Sequence, residues 1–448
     1  MIKKFCFLLP VIYLAALQTF GQANEGVSTV DLDARIITAS PFVEKKAELV
    51  TSAGELSGDA LKRLAESSLG GTLSGQAGVH STYFGPGAGR PIIRGFDGDR
   101  IRILNQGLDT FDVSNSSPDH GVSIEPLFAD EIEVVRGPAT LLYGNAAIGG
   151  VVNVLSKELP RKRAFAPISG QAEAYYGSVS DEQSYGVSLQ GGEGDFAWSA
   201  GFLDRQSNDF EIPGFAESIY QMEAEEEEHH DEEEHHDEEH EEGEEHEDEH
   251  GHEEGEEHEE GEEHEEEEHH DEDEHGDEES VKLDLDQSRF TLRGELLDPF
   301  DFLKSLEIDF ALGDYQHVEV EGDEVGTLYE RDGYELRLTG VHNPVGEFTG
   351  AYGFQAKVDD FLAVGEEAFI PNSKTSQYGL FIMERLNQNW GAWEFGRRVE
   401  SVEIDPEDSS LEKRSFETLN GSVGFVRRID ESSTFSANVV LAERAPNA

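Results

Sequence analysis

The sequence is poor in cysteine and in positive charge. Cys6 is the one cysteine among 448 residues, which excludes a disulfide framework and a zinc site built on cysteines. Lys and Arg number 33 against 97 Asp and Glu, so the formal net charge is −64. This balance argues against a nucleic-acid partner, because phosphate neutralisation needs clustered Lys and Arg.

Long apolar runs are also missing. No segment reaches the roughly 18 to 20 apolar residues that a membrane-spanning helix needs. The apolar stretch Phe5–Leu17 is interrupted by Pro10, follows two lysines and precedes small residues that end at Ala23. We interpret residues 1–23 as a secretory signal peptide rather than a membrane anchor. An exported chain of this kind can be embedded in a membrane only as a β-barrel.

Alternating apolar and polar residues dominate the sequence after residue 168. In Asp195–Leu203, for example, Phe196, Trp198 and Phe202 fall on one face of an extended chain. We count about eleven such segments, and strands of about ten residues with one apolar face are typical of membrane barrels. A soluble β-sandwich shares the alternation, but the secretion signal and the number of segments favour a barrel.

One low-complexity tract, Glu223–Glu279, interrupts the alternating segments. It contains 13 His, 38 Asp or Glu, five Gly and one Ala. Without apolar residues to build a core, the tract is expected to be a disordered extracellular loop. A solvating charge run is the alternative, but interspersed imidazoles favour metal binding. The candidate ligands are His229, His230, His235, His236, His240, His246, His250, His252, His258, His264, His269, His270 and His275.

Two Gly-rich stretches, at residues 90–107 and 132–154, carry the most specific sequence signal. Gly137-Pro138 predicts a turn and a short helix through Leu142. In residue order the two stretches closely resemble the plug domain of TonB-dependent outer-membrane receptors. The plug positions that we single out are Arg94, Gly95, Arg136, Gly137, Pro138, Tyr143, Gly144, Gly149, Gly150 and Asn153.

The resemblance implies a fold class, a membrane β-barrel with an N-terminal mixed α/β plug domain. We expect the plug at residues 46–158 and a partial transmembrane barrel at 168–448, about half of the 22 strands found in such receptors. Family barrels end on an aromatic residue, whereas this sequence ends on Ala448. We therefore expect a C-terminally truncated receptor of a Gram-negative outer membrane.

The resemblance also implies partners for the plug and for the tail before it. Residues 24–45 would form a periplasmic tail, with a segment that pairs as an added strand with a TonB-type energy-transducing protein. An inert linker is the alternative. The plug arginines, among them Arg94, Arg102 and Arg136, are expected to pair with carboxylates of the barrel wall. The proposed docking residues are Ile36, Ile37, Thr38 and Ala39.

Within the family, the sequence most resembles the zinc-uptake, ZnuD-like branch. Ser117-Pro118-Asp119-His120 is similar to the Asp-His pair that these receptors present at the outer face of the plug. Carboxylate oxygen and imidazole nitrogen suit Zn²⁺. A solvated turn is the alternative. Further ligands could come from an outer loop after a predicted strand at Leu306–Asp314, although an acidic turn is equally compatible: His317, Glu319, Glu321 and Glu324.

The sequence therefore predicts a transporter rather than an enzyme, since no pairing of a nucleophile with a base is visible. Zinc is the expected transported ligand, with Cu²⁺ and Ni²⁺ as competitors. The expected partners are the TonB-type protein, outer-membrane lipid and the metal ion, and no nucleic acid. A receptor for a siderophore, haem or cobalamin is the alternative within the family. A metal-sequestering surface protein that uses the tract alone is the alternative outside it.

Overall fold

The computed structural model describes most of the chain between residues 52 and 446. The signal peptide, the tail with its docking segment, Pro118 and the acidic tract lie outside the described residues. The described ranges are 52–117, 119–124, 129–144, 147–156, 168–212, 281–321, 324–365, 368–430 and 433–446.

The N-terminal unit is a small mixed sheet with two short helices, α1 (Gly58–Leu64) and α2 (Leu69–Leu73). Its sheet order is β1-β6-β7-β4-β5, and β2 pairs with β3 in a separate hairpin. Only β4 and β7 run parallel within the five-stranded sheet. In the described ranges, no helix has both the length and the apolar character needed to cross a membrane. The strands are β1 (Ser52–Ser57), β2 (Val79–Ser81), β3 (Pro91–Ile93), β4 (Ile101–Asn105), β5 (Leu108–Asp109), β6 (Ala129–Arg136) and β7 (Gly150–Ser156).

The Gly-rich motif makes the turn between β6 and β7. Gly137 and Gly144 have φ angles of 107° and 109°, and they bracket a 3₁₀ helix at Pro138–Tyr143. Other side chains rarely adopt these angles, which accounts for both glycines. The buried side chain of Asn153 accepts a hydrogen bond of 2.8 Å from the backbone N–H of Gly107. These residues therefore fix the path of the plug backbone.

The second unit is a sheet of eleven antiparallel strands in sequence order, which confirms the predicted fold class of a partial barrel with an N-terminal plug. The strands are β8 (Ser169–Gly177), β9 (Glu182–Glu193), β10 (Phe196–Ser207), β11 (Val281–Phe300), β12 (Leu303–Glu321), β13 (Glu324–His342), β14 (Phe348–Gly365), β15 (Ser373–Gln388), β16 (Gly391–Pro406), β17 (Arg414–Arg428) and β18 (Thr434–Leu441).

The two faces of this sheet differ as the alternation predicts. Leu380 and Ile382 of β15 are exposed on the outward face, whereas Phe381 and Met383 between them are buried. The buried pair packs on the plug side of the sheet, in a cluster that includes Leu142. Large apolar side chains outside and plug contacts inside are the arrangement of a membrane barrel that holds a plug.

Cations of the wall, rather than cations of the plug, make most of the polar contacts between the two units. Arg337 donates to the carbonyl of Leu142 at 2.7 Å, and Arg293 to that of Gln106 at 3.3 Å. Arg289 and Arg331 donate to the carbonyls of Asp109 and Asp112. The carbonyls of Gln106, Asp109 and Asp112 lie in an irregular stretch after β4. Wall arginines supply hydrogen-bond donors to these carbonyls.

The expected pairing of plug arginines with wall carboxylates is therefore wrong for the residues that the structure describes. Arg102 bonds to Asp109 of the plug itself at 2.8 Å, and the guanidinium of Arg136 donates to the carbonyl of Ala77. Arg94 is exposed, and Arg100 lies 3.9 Å from Asp97 at the surface. Arg102 and Arg136 thus find partners within the plug, while the hydrogen bonds from the wall to plug carbonyls come from wall arginines.

Candidate metal centre

Three side chains converge where the plug meets the wall. The ligand atoms of His120, His317 and Glu319 all lie within 4.8 Å of one another. Nε2 of His120 is 3.1 Å from Oε1 of Glu319, and Nε2 of His317 is 3.5 Å from the same oxygen. All three side chains are buried. Two imidazole nitrogens and a carboxylate oxygen therefore share one small space.

Each ligand reaches this space from a defined element. His120 lies in the plug loop that follows β5, at residues 110–124. His317 and Glu319 lie on β12 two positions apart, so both point to the same face of the sheet. That face is the inward one, which also carries Tyr315 and contacts the plug.

The expectation that His317 and Glu319 follow their strand in a loop is wrong. β12 continues to Glu321, and the ladder pairs Leu285 with His317 and Leu283 with Glu319. The paired strands extend beyond the segment that the alternation had suggested, because β11 and β13 supply backbone partners on both sides. The two ligands are therefore on a rigid element.

Hydrogen bonds at Nδ1 fix the orientation of both imidazoles. Nδ1 of His120 is 2.9 Å from Oγ of Ser116 and 3.3 Å from the carbonyl oxygen of Val113. A carbonyl only accepts, so Nδ1 of His120 carries a proton, and Nε2, which faces the Glu319 carboxylate, would offer its lone pair to a metal when it is deprotonated. Nδ1 of His317 is 2.9 Å from the hydroxyl of Tyr315. Contacts of this kind orient metal-ligating histidines and raise their basicity.

Aromatic and apolar groups close the space around the ligands. The ring centroid of Tyr329 is 4.7 Å from that of His120 and 4.7 Å from that of His317. Tyr315 and Tyr329 belong to a buried cluster with Val113. Removal of water strengthens electrostatic attraction inside such a site.

The residues present fit a metal ion. Among the described residues, buried Nε2 of His317 has no hydrogen-bond partner closer than the Glu319 carboxylate at 3.5 Å, although a buried polar atom is normally paired. A divalent ion between this atom, Nε2 of His120 and the Glu319 carboxylate would satisfy all three. Two His and one carboxylate form a known zinc ligand set that leaves a fourth position free.

Electrostatics at His120 favour a cation. Burial lowers the pKa of His120, but the hydrogen bond and the charge of Glu319 outweigh it, helped by the charge of Asp119. The net effect raises the pKa of His120 above its ordinary value. Proton and metal therefore compete for the same nitrogen, because a ligating imidazole must be neutral.

The structure brings together only part of the predicted ligand set. Asp119 is exposed and lies outside the group of three, although its charge acts on His120. Glu324 begins β13, and its side chain, like that of Glu321, lies outside the described residues. The thirteen histidines of the tract lie outside them as well.

Sequence reasoning missed the residues that support the ligands: Ser116, Tyr315 and Tyr329. One signal for Tyr315 was available, because it precedes His317 by two positions and therefore shares its strand face. Ser116 and Tyr329 carry no comparable signal, since they meet the histidines only through the plug loop and a neighbouring strand.

Comparison with known proteins supports the assignment of the plug. Residues 45–151 match the family model described as TonB-dependent Receptor Plug Domain. A stretch of 155 residues is 30% identical to the vitamin B12 transporter BtuB of Vibrio vulnificus, and covers 33% of this chain and 23% of that protein. The chain thus spans about a quarter of the length of this curated relative.

Solved structures share the fold over nearly the whole chain. The alcaligin outer-membrane receptor FauA from Bordetella pertussis gives a TM-score of 0.60 at 12% identity, over 90% of this chain and 64% of that one. The copper transporter OprC gives 0.55 at 14% identity, over 89% and 63%. The matched proteins are receptors and transporters, not enzymes, and they confirm the predicted outer-membrane location.

Proposed function

We propose that this chain is a TonB-dependent receptor, as its plug match and its barrel sheet suggest, and that it serves in the uptake of a transition-metal ion, with zinc as the cargo. The observation that carries the proposal is the convergence of His120 from the plug with His317 and Glu319 from the wall. The donors are buried, oriented and of a type that suits zinc.

The donor set separates the candidate cargoes. Mg²⁺ and Ca²⁺ prefer oxygen ligands, so two imidazoles argue against them. Cu(I) prefers thiolate and thioether ligands, and the group of three contains neither. Cu²⁺ and Ni²⁺ bind the same donors as zinc, and copper is the second candidate because one structural relative is a copper transporter. Siderophores and cobalamin are far larger than the space between three side chains.

Asp119 is proposed as the ligand that completes the site. Asp119 directly precedes His120 in the plug. Its carboxylate is exposed, and its charge already acts on that imidazole. A metal ion would draw it toward the fourth coordination position. The predicted Asp-His pair would then bind the metal through one exposed side chain, Asp119, and one buried side chain, His120.

The acidic tract is proposed to capture metal and to pass it to this site. It joins the end of β10 to the start of β11, and β11 enters the sheet beside the ligands: Leu283 pairs with Glu319 and Leu285 with His317. The C-terminal end of the tract therefore precedes, by four positions, a residue that pairs with a candidate ligand. Clusters of His and carboxylate form weak, exchangeable sites that suit such a transfer.

Release is proposed to follow from movement of the plug. His120 belongs to the plug, whereas the other two ligands belong to the wall, so any displacement of the plug loop separates the donors. A TonB-type protein that pulls on residues 36–39 would supply this displacement. The docking segment lies outside the described residues, and its role rests on the sequence alone.

The experiment that tests the function is metal binding by the full chain with residues 223–279 deleted, so that the tract does not mask the site. Zinc, copper and nickel are titrated, with cobalamin and a ferric siderophore as alternative ligands. His317→Ala should remove tight zinc binding. His342→Ala is the matched control, because His342 contacts Glu384 away from the site. Equal zinc affinity in both variants, or tight binding of cobalamin or siderophore instead, would refute the proposal.

A further inference from the structure

An arginine stands in the apolar band on the outward face of the sheet. On β16, Arg398 is fully buried on the plug side, so Arg397 points outward, where it is exposed. Its neighbours on that face along the strand are Phe395 and Val399, both exposed. Its cross-strand partners are Ile382 and Gly421. The direct neighbours of Arg397 are thus apolar side chains and a glycine, whereas Glu384, in the diagonal position on β15, pairs with His342.

This position is costly for a charge. The outward band of a membrane barrel faces lipid, where a Lys or Arg is destabilising in a depth-dependent way. In the part of the chain that the structure describes, Arg397 has no ion pair and no hydrogen-bond partner. Lys374, on the same face of β15, by contrast pairs with Asp360 at 3.0 Å. No described residue therefore neutralises the charge of Arg397.

A groove lies directly beside Arg397. It has a volume of about 570 Å³ and is lined by apolar side chains of β12 to β16. Tyr352 packs closely across Gly340 in the outward row, where an added Cβ would lie 3.3 Å from the ring, and the lining continues through Leu338 and Leu380. Ligand pockets usually measure roughly 300–1,000 Å³, so the groove is large enough for part of a flexible hydrocarbon chain.

We propose that Arg397 and this groove form a binding site for an anionic phospholipid of the membrane. The guanidinium binds the lipid phosphate, and one acyl chain lies in the groove. Arginine suits this task because its planar fork matches phosphate oxygens and is weakly hydrated. The charge of Arg397 and the apolar lining together select a ligand that is anionic at one end and apolar at the other.

The site is distinct from the metal centre. The metal ligands lie on the inward face, whereas Arg397 lies on the outward face of a different strand. The proposal depends on the outer-membrane fold and not on which cargo is transported. A lipid held here would bridge β12 to β16 from outside, on the surface opposite the plug.

The test is lipid binding to the purified full chain in detergent micelles, followed by native mass spectrometry. Phosphatidylglycerol and phosphatidylcholine with identical acyl chains are titrated in parallel. Because a basic residue at a membrane surface contributes about a fivefold gain in affinity for an anionic lipid, Arg397→Gln should lose at least about that factor for phosphatidylglycerol alone. Arg427→Gln is the matched control, since Arg427 is exposed on the same sheet and does not line the groove.

Two further variants separate the parts of the site. Leu380→Ala removes an exposed apolar side chain that lines the groove and should weaken binding of both lipids, whereas Arg397→Lys keeps the charge and should retain the preference for phosphatidylglycerol. Unchanged phosphatidylglycerol binding by Arg397→Gln overturns the proposal. If that variant does not fold, a wild-type chain without preference between the two lipids overturns it. Displacement of the lipid by inorganic phosphate also overturns it. So does a dimer of this chain that depends on Arg397 and shows no preference between the two lipids.

Discussion

His120 and Glu319 lie 199 positions apart in the chain, yet Nε2 of the histidine is 3.1 Å from Oε1 of the glutamate. One belongs to the plug and the other to the wall, so this contact joins the two units. With His317 they form a buried set of candidate metal ligands at the seam, by which we mean the contact between the plug and the barrel wall. If these donors hold the cargo, as proposed, their placement across the two units would couple binding directly to movement of the plug.

Removal of the shared carboxylate should disable the site. In Glu319→Gln the ligand keeps its shape but loses its charge, and both histidines lose the partner that their Nε2 atoms face. Loss of a supporting contact alone usually costs 10–100-fold in metal affinity, so loss of a ligand should exceed about 100-fold. Titration of zinc into the tract-deleted chain measures this. Glu384→Gln, which changes an outward glutamate near His342, should leave the affinity unchanged.

Tyr315 should act through His317 rather than on the metal. Tyr315→Phe removes the hydroxyl that lies 2.9 Å from Nδ1 of His317, and the ring that fills the core remains. Zinc affinity should fall about 10–100-fold with little change in thermal stability without metal. Tyr334→Phe, on the exposed face of the next strand, is the control. An unchanged zinc affinity in Tyr315→Phe would show that the orientation of His317 does not depend on this contact.

Zinc binding should weaken on acidification. The pKa of His120 is raised, so in the metal-free protein this group adds stability that is fully present below its unfolded pKa and is lost as pH rises through the folded value. Zinc needs the neutral form, and its affinity should fall about tenfold per pH unit for each proton displaced. The rise in melting temperature caused by zinc should therefore be larger at pH 8 than at pH 6. An equal rise at both values contradicts the assignment of His120 as a ligand.

Asp109 should be critical for the seating of the plug. Burial raises the pKa of Asp109, but the charges of Lys357 and Arg102 outweigh it and hold the pKa well below the ordinary value. Its carboxylate lies 2.7 Å from Lys357 and 2.8 Å from Arg102. Asp109→Asn removes the ion-pair partner of buried Arg102 and leaves Lys357 with Asp359 alone, which should cost about 3–5 kcal/mol.

Hydrogen exchange at residues 105–114 measures this loss, since faster exchange there reports a loosened plug. The control is Asp360→Asn, which breaks an exposed ion pair with Lys374 and should cost at most about 1 kcal/mol. Similar exchange rates in the two variants would show that the seam does not depend on Asp109.

The tract should increase uptake mainly when metal is scarce. Replacement of its thirteen histidines by Gln keeps the 38 acidic residues and the length, so it separates imidazole ligation from charge. Dense carboxylates favour the imidazolium form, and capture should therefore decline below neutral pH. Uptake of radioactive zinc at limiting and at saturating concentration measures the effect. Equal uptake by the Gln variant at limiting zinc, or complete loss at saturating zinc, contradicts this role.

The fold was accessible from the sequence because its signals are local. Alternation in Asp195–Leu203 and Tyr378–Ile382 follows directly from the opposed faces of a strand, and the motif around Gly137 fixes a turn. The site was accessible only in parts. His120 and His317 were named as separate candidates, but their approach depends on how the plug sits against β12, which no local pattern encodes. For the same reason the charges at the seam were assigned to the wrong unit.

The ladder between β10 and β11 has a consequence for the evolution of the chain. Twelve residues of β10, from Phe196 to Ser207, pair in register with β11, the strand that follows the tract in the sequence. The strand pairing is therefore specified by residues that do not belong to the tract. Doubling the length of a flexible connection adds only about 0.6 kcal/mol to the cost of its closure. Duplication of His-Glu units would thus lengthen the tract at little energetic cost, so its proposed capacity for metal could grow while the paired strands remain unchanged.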